Sequence, residues 1–127
     1  MRSSRSISRR SSWPALPTTS ERGRSGEDRA AAFVTAAGYR VISRNVRLPG
    51  GEIDLVCKDG STIVFIEVKS RANRRFGSAL AAVDARKRKK LRRLAADYLQ
   101  FVDPTARPRF DVVTLDGERI ALVRNAF

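Results

Sequence analysis

The stretch Gly50-Gly51-Glu52-Ile53-Asp54-Leu55-Val56-Cys57-Lys58-Asp59-Gly60-Ser61-Thr62-Ile63-Val64-Phe65-Ile66-Glu67-Val68-Lys69 decides the fold. It predicts two strands joined by a tight turn, because Asp59-Gly60 between apolar runs supplies the positive φ angles a hairpin loop needs. With the loop centred on Asp59-Gly60, Cys57 faces Thr62, Asp54 faces Phe65 and Glu52 faces Glu67. Asp54 and Glu67 then share a sheet face as diagonal neighbours, roughly 7–8 Å apart at the backbone. Lys69 points the same way as Glu67, since strand side chains alternate. The other face carries Ile53, Leu55, Cys57, Val64, Ile66 and Val68, a good core surface.

Two carboxylates this close repel, so one takes up a proton or a cation lies between them. Oxygen donors in that number suit magnesium, which keeps several waters and needs few protein ligands. A lysine two residues along reaches a phosphate or an attacking water. The competing reading is a solvated salt-bridge cluster on an exposed sheet face.

At 127 residues the chain is expected to form one domain, and 42% apolar residues suffice for a modest core. The net charge is +13, a balance that calls for a polyanionic partner, most simply nucleic acid. No apolar run approaches the length of a membrane-spanning helix. Lone Cys57 excludes an internal disulfide and fits a reducing compartment, so a cytoplasmic location is expected. The chain has no histidine. That removes Ser-His-Asp and Cys-His catalysis, histidine acid–base work and His-containing zinc sites. Carboxylates, lysines and a hard metal remain.

Outward from the hairpin, residues 1–24 are rich in Ser and Arg and poor in acids, the signature of a disordered basic arm. The arm reads equally as a phosphate-binding extension, a transit-like segment or an inconsequential leader. Residues 25–127 form the expected domain. Ser25 is the expected cap of a first helix, paired with Asp28. Ala30, Phe33, Val34 and Ala37 form its buried stripe, and Gly38 stops it. Glu27 in its first turn is, by geometry alone, an acid near the positive helix end. Tyr39 to Leu48 is a strand, and Pro49-Gly50-Gly51 turns into the hairpin. A basic loop with Arg71, Arg74 and Arg75 follows Lys69.

The second helix runs from about Asp84, its cap, to Phe101. Leu91, Leu94, Ala95, Tyr98, Leu99 and Val102 are its buried stripe. Arg86, Lys87, Arg88, Lys89, Lys90, Arg92 and Arg93 crowd its first half without an acid, at a repulsive cost a phosphate backbone would offset. Pro104 to Pro108 is a connection, and Phe110 to Leu115 and Glu118 to Val123 form a second hairpin around Asp116-Gly117. Asp111 is expected to be a hydrogen-bond acceptor. The fourth strand should run parallel to the third across the second helix. The fold class is α/β, a mixed sheet flanked by helices in the order α-β-β-β-α-β-β.

An Asp on the second strand and Glu-x-Lys on the third resemble the PD-(D/E)xK restriction-endonuclease-like nucleases. Within that group, Gly26-Glu27, Arg44-Asn45-Val46-Arg47, Gly51-Glu52-Ile53-Asp54-Leu55-Val56, Phe65-Ile66-Glu67-Val68-Lys69-Ser70-Arg71, Phe76-Gly77, Arg109-Phe110-Asp111-Val112 and Asn125-Ala126-Phe127 resemble the YraN-like family. That family is regarded as related to archaeal Holliday-junction resolvases. The resemblance covers about residue 20 onward. Ile53 stands where the superfamily name has proline.

The resemblance implies a restriction-endonuclease-like core and a magnesium-dependent DNA endonuclease, with manganese as the alternative metal. Asp54 and Glu67 would be the metal ligands, Lys69 would orient the water or steady charge, and Glu27 would be an additional catalytic acid. Arg71, Arg74, Arg75, Lys87 and Lys90 are the expected nucleic-acid contacts. The implied substrate is branched or recombining DNA, in recombination or repair, and a two-fold junction implies a homodimer. The alternative is a nucleic-acid-binding protein that keeps the fold and cuts nothing. An RNA or ribosome binder relying on charge alone is a third reading.

Overall fold

The computed structural model describes residues 19–70 and 83–127. The order is α1 (Thr19–Ala36), β1 (Arg40–Leu48), β2 (Gly51–Asp59), β3 (Thr62–Ser70), α2 (Ala85–Val102), β4 (Pro108–Asp116) and β5 (Arg119–Val123). The five strands form one sheet in sequence order. β3 and β4 pair in parallel and the other neighbours are antiparallel. The expected α/β order and mixed sheet are therefore present. The arm at residues 1–18 and the loop carrying Arg71, Arg74 and Arg75 lie outside the described residues.

Helices cover both sheet faces. α1 packs Ala30 and Val34 on Tyr39, Leu55, Cys57, Val64, Ile66, Val113 and Leu115. α2 packs Leu91, Leu94, Ala95 and Leu99 on Ile53, Val56, Ile63, Phe65, Phe110 and Val112. A sheet buried on both faces explains why β3 reads Ile63-Val64-Phe65-Ile66 with no polar alternation.

α1 begins at Thr19, six residues before the expected Ser25 cap. Its stripe is also narrower: Ala30 and Val34 are buried, Phe33 is half-buried and Ala37 is exposed. Gly38 ends the helix as expected, at φ 105°, with Tyr39 N–H donating to Val34 O and Gly38 N–H to Thr35 O. In α2, Asp84 is the N-cap and accepts from Lys87 N–H at 2.9 Å. Val102, assigned to the α2 stripe, is the last residue of the helix and is 54% exposed.

Both Asp-Gly hairpins close one residue later than expected. Asp59 pairs with Thr62 and Asp116 with Arg119, so the loops are Gly60-Ser61 and Gly117-Glu118. The aspartates end their strands, and glycine alone takes positive φ, at 65° for Gly60 and 63° for Gly117. A glycine at the first loop position is the other twist-compatible hairpin turn. The register moves by two and parity survives. Val56, not Asp54, faces Phe65. Glu52 instead pairs with Arg47 of β1, as a salt bridge of 3.1 Å.

The β1–β2 register shifts between Val41 and Ser43, and parity breaks again further along. Ile53 and Leu55 should share a face, yet Ile53 lies under α2 and Leu55 under α1. Between the Arg44–Leu55 and Val46–Ile53 pairs lie Asn45 and Asp54. Asn45 has φ 52°, a left-handed conformation that asparagine tolerates better than most residues. This kink lets both strands exchange faces, and Val46 joins the α2 side with Ile53.

Candidate functional site

The face exchange positions Asp54. The β2–β3 ladder extends as far as Leu55–Ile66. Beyond it the Asp54 carboxylate reaches across and accepts the Val68 N–H at 2.8 Å. A side-chain oxygen thus stands where a strand carbonyl would otherwise be. One position past the Leu55–Ile66 pair, Asp54 comes beside Glu67, so the two acids interact as neighbours across the strands rather than diagonally. Burial and then the Glu67 charge push the Asp54 carboxyl up to about 6, against the Val68 N–H and the Lys87 charge, which pull it down.

Glu67 is 6% exposed and lies on the α2 side of β3. Lys87 Nζ of α2 is 3.4 Å from its Oε2 and Lys69 Nζ is 3.9 Å from the same oxygen. A buried carboxylate is costly unless paired, and these two cations supply the pairing. Lys87 was expected to face phosphate with the rest of the basic run. Its place three residues after the Asp84 cap, in the first turn, turns it inward instead. Sequence spacing carries no sign of this, because no apolar periodicity marks a cation aimed at a site.

Glu27 comes from α1. Its carboxylate is hydrogen-bonded to the Asn45 side chain and feels Asp54, Arg44 and Glu52. Burial, foremost, raises its pKa above the ordinary value, with the neighbouring acids adding to it. Next to it Asp28 is ion-paired with Arg44. Asn45 therefore does two things: its backbone turns β1, and its amide holds Glu27 beside the β2 acid. The signal was present in the sequence, since asparagine is depleted within strands.

Glu27, Asp54, Glu67 and Lys69 thus lie in one region, with Lys87 and Asn45 beside them. Lys90 lies nearby, over the β1–β2 turn. A Cβ on Gly51 would fall 2.6 Å from Lys90 Cε. Among the described residues no three His, Cys, Asp or Glu side chains converge as a metal cage. The donors present are two neighbouring carboxylates, oxygen only. They fit a hard divalent cation that keeps most of its water, and not a soft or zinc-like site.

A different cluster occupies the opposite end of the sheet. Asp111 is fully buried and accepts from Tyr39 Oη at 2.5 Å, from Arg109 Nε and Nη2 at 3.0 and 2.9 Å, and from Asn125 N–H at 2.9 Å. Arg109 also bridges to Asp59 at 2.9 Å. Its guanidinium is held even more firmly protonated than usual, chiefly by the Asp111 hydrogen bonds. Burial, with help from Asp111, pushes the Tyr39 hydroxyl and the Cys57 thiol each up to about 12. Every Asp111 oxygen is used, so this is an acceptor that ties β4 to Tyr39 and Asn125. Cys57 has neither the ionisation nor the exposure of a nucleophile.

Fold and site define a small α/β protein with a mixed five-stranded sheet and an acid–lysine cluster where β2 and β3 part. Residues 26–115 match the model of the uncharacterised protein family UPF0102. Its UPF0102 relatives include proteins of Dechloromonas aromatica, 46% identical over 89% of this chain and 93% of the relative, and of Moorella thermoacetica, 48% identical over 87% and 98%. That of Symbiobacterium thermophilum is 50% identical over 83% and 94%. The chain belongs to the UPF0102 family, the YraN-like family that its motifs resemble. No helix among the described residues is long and apolar enough to cross a membrane.

Proposed function

We propose that this protein is a metal-dependent endonuclease that hydrolyses phosphodiester bonds in DNA, with branched or recombining DNA as its substrate. One observation carries the reading: Asp54 stands beside buried Glu67, the two charges coupled, with Lys69 and Lys87 on the same oxygen of Glu67. Structural ion pairs do not need two acids side by side at a cost.

Asp54 and Glu67 would hold magnesium or manganese. A bound ion of this kind polarises a phosphate and lowers the pKa of its water. The chain supplies the rest. Val68 N–H orients the Asp54 carboxylate. Lys69, about one-third exposed, carries the positive charge that steadies the phosphate or positions the attacking water. Glu27, fixed by Asn45, is the further acid on the solvent side. The net charge of +13 draws the polyanion in and predicts steep salt dependence.

The test is cleavage of labelled four-way junction, flap, single-stranded and duplex DNA with magnesium, manganese or chelator. Wild type is expected to cut in the presence of metal only. Glu67→Ala and Lys69→Ala, purified in parallel, should lose at least about a hundredfold in rate. Equal cutting by wild type and Glu67→Ala would sink the proposal.

A second reading has its own observation. Glu67 is already neutralised by two lysines, so the site is self-sufficient without a metal. A module that binds nucleic acid and cuts nothing would show metal-independent binding, unchanged in Glu67→Ala.

A further inference from the structure

The seven basic residues between Arg86 and Arg93 read as one run, but the helix sorts them into three directions. Arg88 and Arg92 point to the aromatic end of the core. Arg88 Cζ lies 5.6 Å and Arg92 Cζ 5.4 Å from the Phe127 ring centroid, and Arg92 is also 6.0 Å from that of Phe110. The two rings are stacked at 5.1 Å. Arg88 Nε further donates to Val83 O at 2.8 Å. Cations so placed over ring faces act in packing. Lys87 is turned to Glu67.

The remaining four, Arg86, Lys89, Lys90 and Arg93, fall at i, i+3, i+4 and i+7, one face of the helix. Together they line a single open cleft of ≈490 Å³. Two of them pass close over the β1–β2 turn. Arg93 Nη2 is 2.7 Å from where a Gly50 Cβ would lie, and Lys90 Cε is 2.6 Å from the corresponding point on Gly51. The glycine pair gives the β1–β2 turn room to sit beneath these side chains. Arg86–Lys90 and Lys89–Arg93 are both like-charged i, i+4 pairs, and residues 85–96 contain no acid to relieve them.

We propose that Arg86, Lys89, Lys90 and Arg93 form a phosphate track that holds one DNA backbone along α2 and delivers it to the Asp54–Glu67 acids. The proposal rests on the nucleic-acid part of the reading above, not on catalysis. The geometry is suited to a backbone and not to a single anion. Arg86 to Arg93 spans about 10 Å of helix, enough for two or more successive phosphates of one strand. Lys87, pointed at Glu67, lies on the helix beside Arg86 and less than a turn from Lys90, so a strand on the track passes the acids. Side chains on one helix face that touch phosphates position a duplex without reading its bases.

Two charge-matched double variants separate position from net charge. Lys89→Gln/Arg93→Gln removes two track cations, and Arg88→Gln/Arg92→Gln removes two from over the rings. Each is titrated by fluorescence anisotropy against labelled duplex DNA in chelator, where nothing is cut, between about 50 and 200 mM salt. The track variant should lower the slope of log K against log salt by about two units and bind at least about tenfold more weakly at the low-salt end. The ring variant should keep the wild-type slope and melt at a lower temperature. The single exchanges Lys89→Gln and Arg92→Gln repeat the comparison should the ring double lose its fold.

Equal slopes in the two doubles would overturn the track, because binding would then follow net charge alone. Failure of wild type to bind duplex DNA at low salt would overturn it as well, and tighter binding of duplex RNA at equal salt would overturn the DNA assignment. A protein that binds in this pattern yet cuts nothing would leave the track standing while the endonuclease reading falls.

Discussion

Asp54→Asn is expected to abolish metal-dependent cleavage and, at neutral pH, to make the protein more stable by about 1–3 kcal/mol. The asparagine oxygen can still accept the Val68 N–H, and its amide can donate to Glu67, so the split between β2 and β3 stays filled. What disappears is a charge that the fold holds at a loss. The Asp54 carboxyl is raised to about 6 in the folded chain, chiefly by burial and next by Glu67, against an ordinary value of 3.8. A raised carboxyl favours the folded state fully below the unfolded pKa, and that favour is lost as pH climbs through the folded one. The advantage of Asp54→Asn should therefore be large at pH 7.5 and shrink as pH falls through 6 toward 4. Denaturant titrations of both proteins at the two ends of that range measure it. A destabilised Asp54→Asn at pH 7.5 would show that the aspartate is there for structure, and would count against the catalytic reading. Stability given up for a charged site is the expected trade-off for an enzyme.

Asp111→Ala is expected to do the reverse: to cost about 3–5 kcal/mol of stability, with little direct effect on chemistry in whatever fraction stays folded. The exchange leaves the Arg109 guanidinium short of its main partner, and leaves the Tyr39 hydroxyl proton and the Asn125 N–H without their acceptor, though Tyr39 Oη still accepts from Arg109. Arg109 retains Asp59, which limits the damage but does not replace a fully buried acceptor. Asp111→Asn should fall between, since it restores acceptance at one oxygen without the charge. Urea titration of the three proteins gives the order. Equal stability of wild type and Asp111→Ala would refute the view that this network ties β4 to Tyr39 and Asn125.

These two aspartates also mark how much could be read without a structure. The helix and strand order came from apolar periodicity and two Asp-Gly turns. The parallel β3–β4 step followed from having to cross by a helix. Asp54, Glu67 and Lys69 were recognisable because charged residues in an otherwise apolar hairpin need a reason. The face exchange at Asn45 was not legible, because alternation presumes an unbroken strand, and one left-handed residue reverses everything beyond it. The same assumption placed Ile53 with Leu55. The hairpin register missed by two because aspartate can end a strand as readily as begin a turn. Lys87 was hidden by its neighbours: seven cations in eight positions look alike until the cap at Asp84 fixes the phase of the helix. The arginines at 71, 74 and 75 lie outside the described residues, and their part in binding rests on the sequence.

The substitution of a carboxylate for a strand carbonyl at Val68 has a spectroscopic consequence. The Val68 amide proton is bonded directly to the group whose charge the site depends on. In a nitrogen–proton correlation spectrum its resonance should move with the Asp54 ionisation near pH 6, and move again when a divalent cation settles between the acids. It can therefore report occupancy of the site with no substrate turned over.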